Sequence, residues 1–398
     1  MTMIAETMKS MNNAHKPATT ASGLTARQLN RATLARQMLL AREPIGPVDA
    51  VERVLALQAQ EPASPYIALW NRVAGFDPAQ LDAAFADGLI VKATLMRVTL
   101  HAVTAADHPT LHAAMQTTLR AARLNDRRFA AAGLSVADAQ ALVEEVLGFA
   151  AKPRTNADIE AWLADRLGSA AHPGFWWAMR QVGPFVHAPT GGAWSFGPRP
   201  SHRAAKPRPG SIEPDAAMAH LVRRYLESFG PATVQDVAQF GLLTMPRILA
   251  GVAALGDELV TLQGPAGVRL LDVRGGALPD EDSAAPPRLL PMWDSTLLAY
   301  RDRSRIVPPA YRRTVIQSNG DVLPPVLVDG HVAGVWRPID AGIEVTAFHR
   351  LGAGDWAGLE SEAAALIGFL AARERTPYGR YTRWWTGLAG AELRIIGA

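Results

Sequence analysis

The chain contains no cysteine. Disulfides, thiol nucleophiles and cysteine-ligated zinc are therefore excluded. Lysine is scarce: among forty lysines and arginines only Lys9, Lys16, Lys92, Lys152 and Lys206 are lysine. The basic side chain on offer is arginine, which suits bidentate phosphate contacts. GC-rich coding produces the same Arg- and Ala-rich composition, so composition alone does not assign a polyanion partner. No apolar run approaches the roughly 18 residues that span a bilayer, and no membrane partner is expected. Residues 1–23 lack the apolar core of a signal peptide and read as a disordered leader. Cytoplasm is the expected compartment. No phosphate-cradling Gly loop and no Ser-His-Asp arrangement in a known context is present.

What is present is enough to build several domains. The chain has 398 residues, of which 48% are hydrophobic, so it folds as a globular protein with a sizeable core. Its net charge is +3 with a sequence pI near 9.3, a mild pointer to a polyanion. Three stretches repeat one pattern of helices followed by a β-hairpin. In PRTNADIEAWLADRLG and PATVQDVAQFGLLTMPRIL, Pro153, Thr155, Asp158 and Ile159 match Pro231, Thr233, Asp236 and Val237. Each Thr is an expected N-cap. Second helices follow in PGFWWAMRQVG and TMPRILAGVAALG, then hairpins in FVHAPTGGAWSFG and ELVTLQGPAGVRLLDV. Helix–turn–helix plus hairpin is a winged helix. The first third fits the same pattern more loosely, with IVKATLMRVTLHAV as strand in the wing position.

The expected fold is mainly α with β wings. Three tandem winged-helix units span 24–130, 131–210 and 211–280. Residues 281–398 form a C-terminal β-rich segment with a terminal helix and a basic, aromatic tail. There the Asp329-Gly330 turn signals a hairpin, and Leu359, Ala363, Leu366 and Leu370 form one helix face.

The stretch VLALQAQEPASPYIALWNRV carries two glutamines one residue apart. Pro47 suits a first helical turn, and Val51, Val54, Leu55 and Leu57 recur near helical spacing. On a helix, Gln58 and Gln60 would not face one pocket. Pro62 disfavours helix at Glu61, and in an extended segment both amides point the same way. The sequence permits a shared site without requiring one.

Several ordered motifs, taken together, resemble the AlkZ/YcaQ family of winged-helix DNA glycosylases over nearly the whole chain after the leader. They are Gln58-Ala59-Gln60, LMRVTLHAV, ESFGPATVQDVAQF, LPMWDSTLLAYRDRSR and PPVLVDGHVAGVW. The Gln-x-Gln form resembles the AlkZ branch. Val98 stands where the family usually has Gly. The resemblance implies three winged helices arranged as a C around duplex DNA. It also implies a monofunctional, cofactor-free glycosylase acting on bulky N7-alkylated purines and interstrand crosslinks. Gln58 and Gln60 would be its catalytic pair. Such enzymes look like self-resistance factors against genotoxic natural products, here a nucleoid-associated monomer.

Glutamines suffice chemically for such a lesion. N7-alkylguanine is already cationic, so its departure needs no proton. The remaining task is to position water, and an amide offers an acceptor oxygen and two donors without charge change.

Further DNA-binding candidates are Arg97, Thr99 and His101 on one strand face, lining the site or bracing the loop. Arg301, Arg303 and Arg305 lie on one side of RDRSR if it is extended, where they could track phosphates; a solvated charge run is the alternative. His331, near the tip of VDGHVAGVW, suits a groove-entering hairpin; a core hairpin with buried Trp336 is the alternative. His108 and His112 have helical metal spacing, but no third ligand is evident beyond Asp107, and no metal is expected. Two other functions compete: a non-catalytic winged-helix regulator and a drug-sequestering resistance protein. The mostly apolar helix in TMPRILAGVAAL disfavours base readout by a regulator.

Overall fold

Helix α1 (Ala26–Arg36) begins where Thr25 and Gln28 close a capping box. Short helices α2 (Pro47–Arg53), α3 (Ser64–Trp70) and α4 (Pro78–Ala86) follow, each with Pro in its first turn. The computed structural model describes residues 23–124, 135–168, 174–206 and 212–397. Most of the expected leader and the unit boundaries at 130/131 and 210/211 lie outside the described residues.

Helix α2 ends earlier than its apolar spacing predicts. Leu55 adopts φ 69°, and the chain enters strand β1 (Leu57–Gln58). Sheet pairing takes over from helix there. β1 pairs with β3 (Leu100–Thr104), which pairs with β2 (Ile90–Thr94). LMRVTLHAV is thus not one strand: residues 95–99 form a tight turn between β2 and β3.

After α5 (His108–Leu124) and α6 (Val136–Phe149) comes α7 (Asn156–Leu167), capped by Thr155 as its spacing predicts. α8 (Phe175–Met179) leads into strand β5 (Phe185–Ala188). The return strand is β6 (Ser201–Ala204), not the expected GAWSFG, whose Trp194 is buried in a core instead. Strand β4 (Arg154–Thr155) edges this sheet, and the pair Lys92–His187 joins β2 to β5. The first two hairpins therefore form one antiparallel sheet, ordered β1-β3-β2-β5-β6-β4.

The third helical group is α9 (Pro214–Phe229), α10 (Val234–Gly241) and α11 (Met245–Leu255). Thr233 caps α10 with Asp236. The separate hairpin β7 (Leu259–Gln263) and β8 (Arg269–Val273) follows. The Pro-rich stretch after it is strapped along α1: Arg27, Arg31 and Arg36 donate to the carbonyls of Glu281, Ser283 and Ala277.

The C-terminal segment is a five-stranded antiparallel sheet, β13-β12-β11-β10-β9. Its strands are β9 (Arg288–Leu289), β10 (Pro325–Val328), β11 (His331–Ile339), β12 (Gly342–Ala347) and β13 (Glu392–Ile396). The tail thus returns as an edge strand, which its composition did not suggest. Between β9 and β10 lies α12 (Arg312–Val315), and α13 (Ala353–Ala371) packs with Leu359, Ala363, Leu366 and Leu370 buried.

The VDGHVAGVW hairpin is anchored in the core, and its tip is tied to α1. Trp336 is fully buried and its indole N–H donates to Leu290 O at 2.8 Å. At the tip, Gly330 O accepts from Asn30 at 2.8 Å, and Asp329 pairs with Arg27 and Arg31 of α1. A Cβ on Gly330, which has φ 78°, would lie 2.5 Å from Asn30 Oδ1.

One core joins Leu34, Tyr66 and Phe85 to Leu289, Trp336 and Leu366 across the length of the chain. A second joins Leu55, Met96 and Met115 to Tyr225, Phe240 and Tyr300. The third is local, around Val146, Ile159 and Trp176. The result is a mixed helical protein with small antiparallel sheets. No helix among the described residues is long and apolar enough to cross a membrane.

Candidate active site

The register places Gln58 opposite His101, and Ala59 N–H donates to Leu100 O at 2.8 Å. Gln58 is buried at the sheet edge, whereas Gln60 is exposed just beyond it. Arg97 Nη2 donates to Gln58 Oε1 at 2.8 Å. Leu100 N–H donates to Gln60 Oε1 at 2.9 Å. Both partners are donors only, so both amides are oriented without ambiguity. Each oxygen is turned onto the protein with one lone pair left over. Neither amide nitrogen donates to a described residue.

Arg97 is held on several sides. Its Nη1 donates to Phe240 O at 3.2 Å, and the guanidinium lies 5.1 Å from the Phe240 ring centre. Its Nη2 also sits 3.2 Å from His101 Nε2. His101 Nδ1 lies 3.0 Å from Thr99 O. A carbonyl only accepts, so Nδ1 carries the proton and Nε2 accepts from Arg97. Burial, reinforced by the Arg97 charge, pushes the His101 pKa down to about 3. Burial, then the nearby Arg303 charge, pushes Arg97 down to about 10. At neutral pH the pair is therefore a cation beside a neutral imidazole.

Arg97, Thr99 and His101 were expected on one strand face. Instead Arg97 sits in the turn, and Thr99 Oγ1 closes that turn on Met96 O at 3.1 Å. Arg97 and Val98 have φ 54° and 56°. Thr99 N–H bonds Met96 O, so these are the central residues of a type I′-like turn. A β-branched residue there is strained by roughly 1–2 kcal/mol. Val98 packs partly against the second core, which offsets some of that. Val98→Gly is expected to leave the unfolding midpoint unchanged or raise it slightly, unlike Val→Gly elsewhere in a strand. Thermal melts check this; a fall of several degrees would mean that Val98 packing outweighs the strain.

RDRSR is not extended. Residues Arg303–Arg305 form a 3-10 turn, with Asp302 Oδ1 accepting from Ser304 N–H at 3.0 Å. Local side-chain capping breaks the alternation. Arg301 is exposed, with its backbone N–H on Asp236 Oδ1 at 2.8 Å. Arg303 is half-buried near Arg97 and Arg312. Arg305 donates to Pro231 O at 2.9 Å and lies 4.0 Å from the Tyr300 ring centre. Arg301, Arg305 and Arg312 line a cleft of about 710 Å³ with Gln235 and His331. His331 Nδ1 is 3.1 Å from Asp329 O. The cleft residues do not join the two glutamines; Arg303 does not line the cleft, and its charge is felt by Arg97.

The His108 and His112 rings stack at 5.6 Å, and Asp107 is bound by His220 and Arg224. No group of three or more potential metal-ligating His, Asp or Glu occurs among the described residues.

Gln60 also borders a cavity of about 750 Å³, together with Lys92, His187, Trp194, Phe196 and Tyr378. The one signal of Lys92 in the sequence is a lysine inside the apolar strand IVKAT of an arginine-rich chain. Phe240 has the pattern of a core aromatic, and its carbonyl bond to Arg97 has no local signature. Burial pushes the Lys92 pKa down to about 8, with Glu61 opposing. The folded state therefore pays about 3 kcal/mol to keep Lys92 charged below pH 8. That cost fades as pH rises toward 10.5. Lys92→Met is expected to raise the unfolding midpoint at pH 7, with the gain shrinking above pH 8 and nearly gone by pH 10.5. Melts across pH check it; a lower midpoint at pH 7 would contradict it.

The family described as DNA glycosylase AlkZ-like matches residues 51–369. The interstrand DNA cross-link repair glycosylase of Streptomyces sahachiroi is 27% identical over 346 residues, covering 81% of this chain and 90% of that protein. The solved structure of Streptomyces sahachiroi DNA glycosylase AlkZ has the same fold, with a TM-score of 0.74 at 24% identity. It covers 89% of this chain and 99% of that one.

Proposed function

The chain belongs to the AlkZ-like family of DNA glycosylases, and from that premise we propose that it hydrolyses the N-glycosidic bond of bulky N7-alkylated purines in duplex DNA. Interstrand crosslinks through N7 are unhooked by the same step, a reading supported by the similarity to the interstrand DNA cross-link repair glycosylase of Streptomyces sahachiroi. The observation that carries the reading is the fixed orientation of each of the two amides, Gln58 by Arg97 and Gln60 by Leu100 N–H. Gln58 and Gln60 hold a water through their free N–H groups and remaining oxygen lone pairs. The water oxygen bonds to C1′ as the C1′–N9 bond breaks. Its electron pair goes to the base, which leaves neutral, and the water proton passes to solvent. No acid is needed because the base starts as a cation.

The helix–hairpin groups at 24–130, 131–210 and 211–280 act as winged helices arranged as a C around the duplex. The protein works as a monomer on the nucleoid. Arg301 and Arg303 contact phosphates, which position DNA without reading sequence. Arg305 joins them through the donors that remain after its Nη1 bond to Pro231 O. A self-resistance role against a genotoxin fits this lesion class.

Incubation with duplex carrying one N7-alkylguanine, followed by alkali, tests the reading. Strand cleavage at the lesion supports it, as does conversion of a crosslinked duplex to single strands on a denaturing gel. An intact lesion strand after prolonged single-turnover incubation would overturn it.

A further inference from the structure

The sheet places Leu57, Ala102, Lys92 and His187 in one row across four strands. Gln58 and His101 occupy the neighbouring row, whose side chains alternate to the other face. The Lys92 side of the sheet opens into the 750 Å³ cavity, and Gln60 belongs to both that cavity and the amide pair. Any group bound at Gln60 therefore sits on the cavity rim. The volume suits a drug-sized organic group.

The cavity combines aromatic walls with several charged and polar side chains, among them Glu61, Lys92, Glu374 and Arg380. Trp194, Phe196 and Tyr378 supply ring surface. Lys92 is 5% exposed, and its ammonium lies 4.6 Å from the Phe196 ring centre. It donates no hydrogen bond to any described residue. A buried ammonium with its donors unspent is costly unless a partner arrives. Glu61 is paired with Arg380 at 2.5 Å, and Glu374 accepts from the Trp194 indole at 2.5 Å. These carboxylates argue against an anionic occupant, and Lys92 argues against a cationic one.

We propose that this cavity receives the substituent carried by the alkylated purine, and that Lys92 selects arms that are aromatic, uncharged and bear a carbonyl or phenolic oxygen. The inference rests on the glycosylase reading above. The base stays at Gln58 and Gln60 while its arm stacks on Phe196 and accepts from the Lys92 ammonium. Discrimination among lesions then resides in the substituent rather than in the purine.

The test compares duplexes carrying N7-methylguanine, an N7-guanine adduct with an aryl amide arm, and one with an aryl arm lacking oxygen. Wild type and Lys92→Met are assayed under single-turnover conditions. Lys92→Met should slow release of the aryl amide adduct tenfold or more, with little change for the other two. Binding to the aryl amide adduct, stabilised against release by a 2′-fluoro sugar, should weaken by a similar factor relative to unmodified duplex. Equal effects on all three lesions, or unchanged binding, would overturn the proposal. Failure of wild type to release any lesion would instead overturn the glycosylase reading, while the binding comparison still decides the role of Lys92.

Discussion

Gln58→Ala lowers the single-turnover rate of base release by roughly a hundredfold or more, in the range seen when one transition-state hydrogen-bonding group is removed. Duplex affinity changes little, because the side chain is buried at the sheet edge rather than spread over a phosphate-binding surface. Arg97→Met reproduces most of this loss without touching either glutamine. Its guanidinium is the donor that fixes the Gln58 amide at 2.8 Å. Without it, the amide is free to rotate and the bound water loses its orientation. The double variant should be little slower than Gln58→Ala alone, since residues acting as one unit are not additive. Additive losses would show that Arg97 acts independently, for example by contacting DNA. Circular dichroism and thermal melts on the same samples separate catalytic loss from unfolding.

Asp294→Ala destabilises the fold by about 3–5 kcal/mol, the usual cost of breaking a buried pair and leaving one charge behind. Arg72 and Asp294 side chains are 0% and 1% exposed and bind through two contacts of 2.9 and 3.0 Å. Asp294 also accepts from the Thr296 hydroxyl at 2.8 Å. The pair ties the end of the helix after the glutamines to the LPMWD segment, so the Gln58 edge and the C-terminal part of the chain share one support. Arg72→Met with Asp294→Leu should cost less than Asp294→Ala, because no charge is stranded. Denaturant unfolding measures both. A single-variant loss below about 1 kcal/mol would contradict the assignment.

This pair also shows why a motif is read more easily than it is explained. LPMWDSTLLAYRDRSR was recognisable as a string, yet its string does not reveal that Asp294 is a buried partner of Arg72 or that Arg305 is tied to Pro231 O. Features set by neighbours in sequence were legible. Thr155 and Thr233 cap the helices that their spacing predicts. Asp329-Gly330 makes its tight turn, and the apolar face of α13 is buried. Features set by distant contacts were not. Gln58 meets Arg97 across 39 residues and Arg97 meets Phe240 across 143. The early end of α2 has the same origin, because pairing of β1 with β3 outweighs the helical spacing of Val54, Leu55 and Leu57. Likewise the arginines of RDRSR alternate on paper, but the Asp302–Ser304 contact winds them into a turn. The cavity beside Gln60 assembles from the first hairpin, the loop after β5 and the C-terminal tail. No local pattern announces such a meeting.

The most direct test of the central claim is single-turnover excision from matched duplexes holding either one N7-alkylguanine or one uracil, with wild type and Gln58→Ala side by side. If paired amides position water for a leaving group that is already cationic, wild type releases N7-alkylguanine and leaves uracil in place, and Gln58→Ala loses most of that activity. Release of uracil without N7-alkylguanine, or equal N7-alkylguanine rates for wild type and variant, would contradict it.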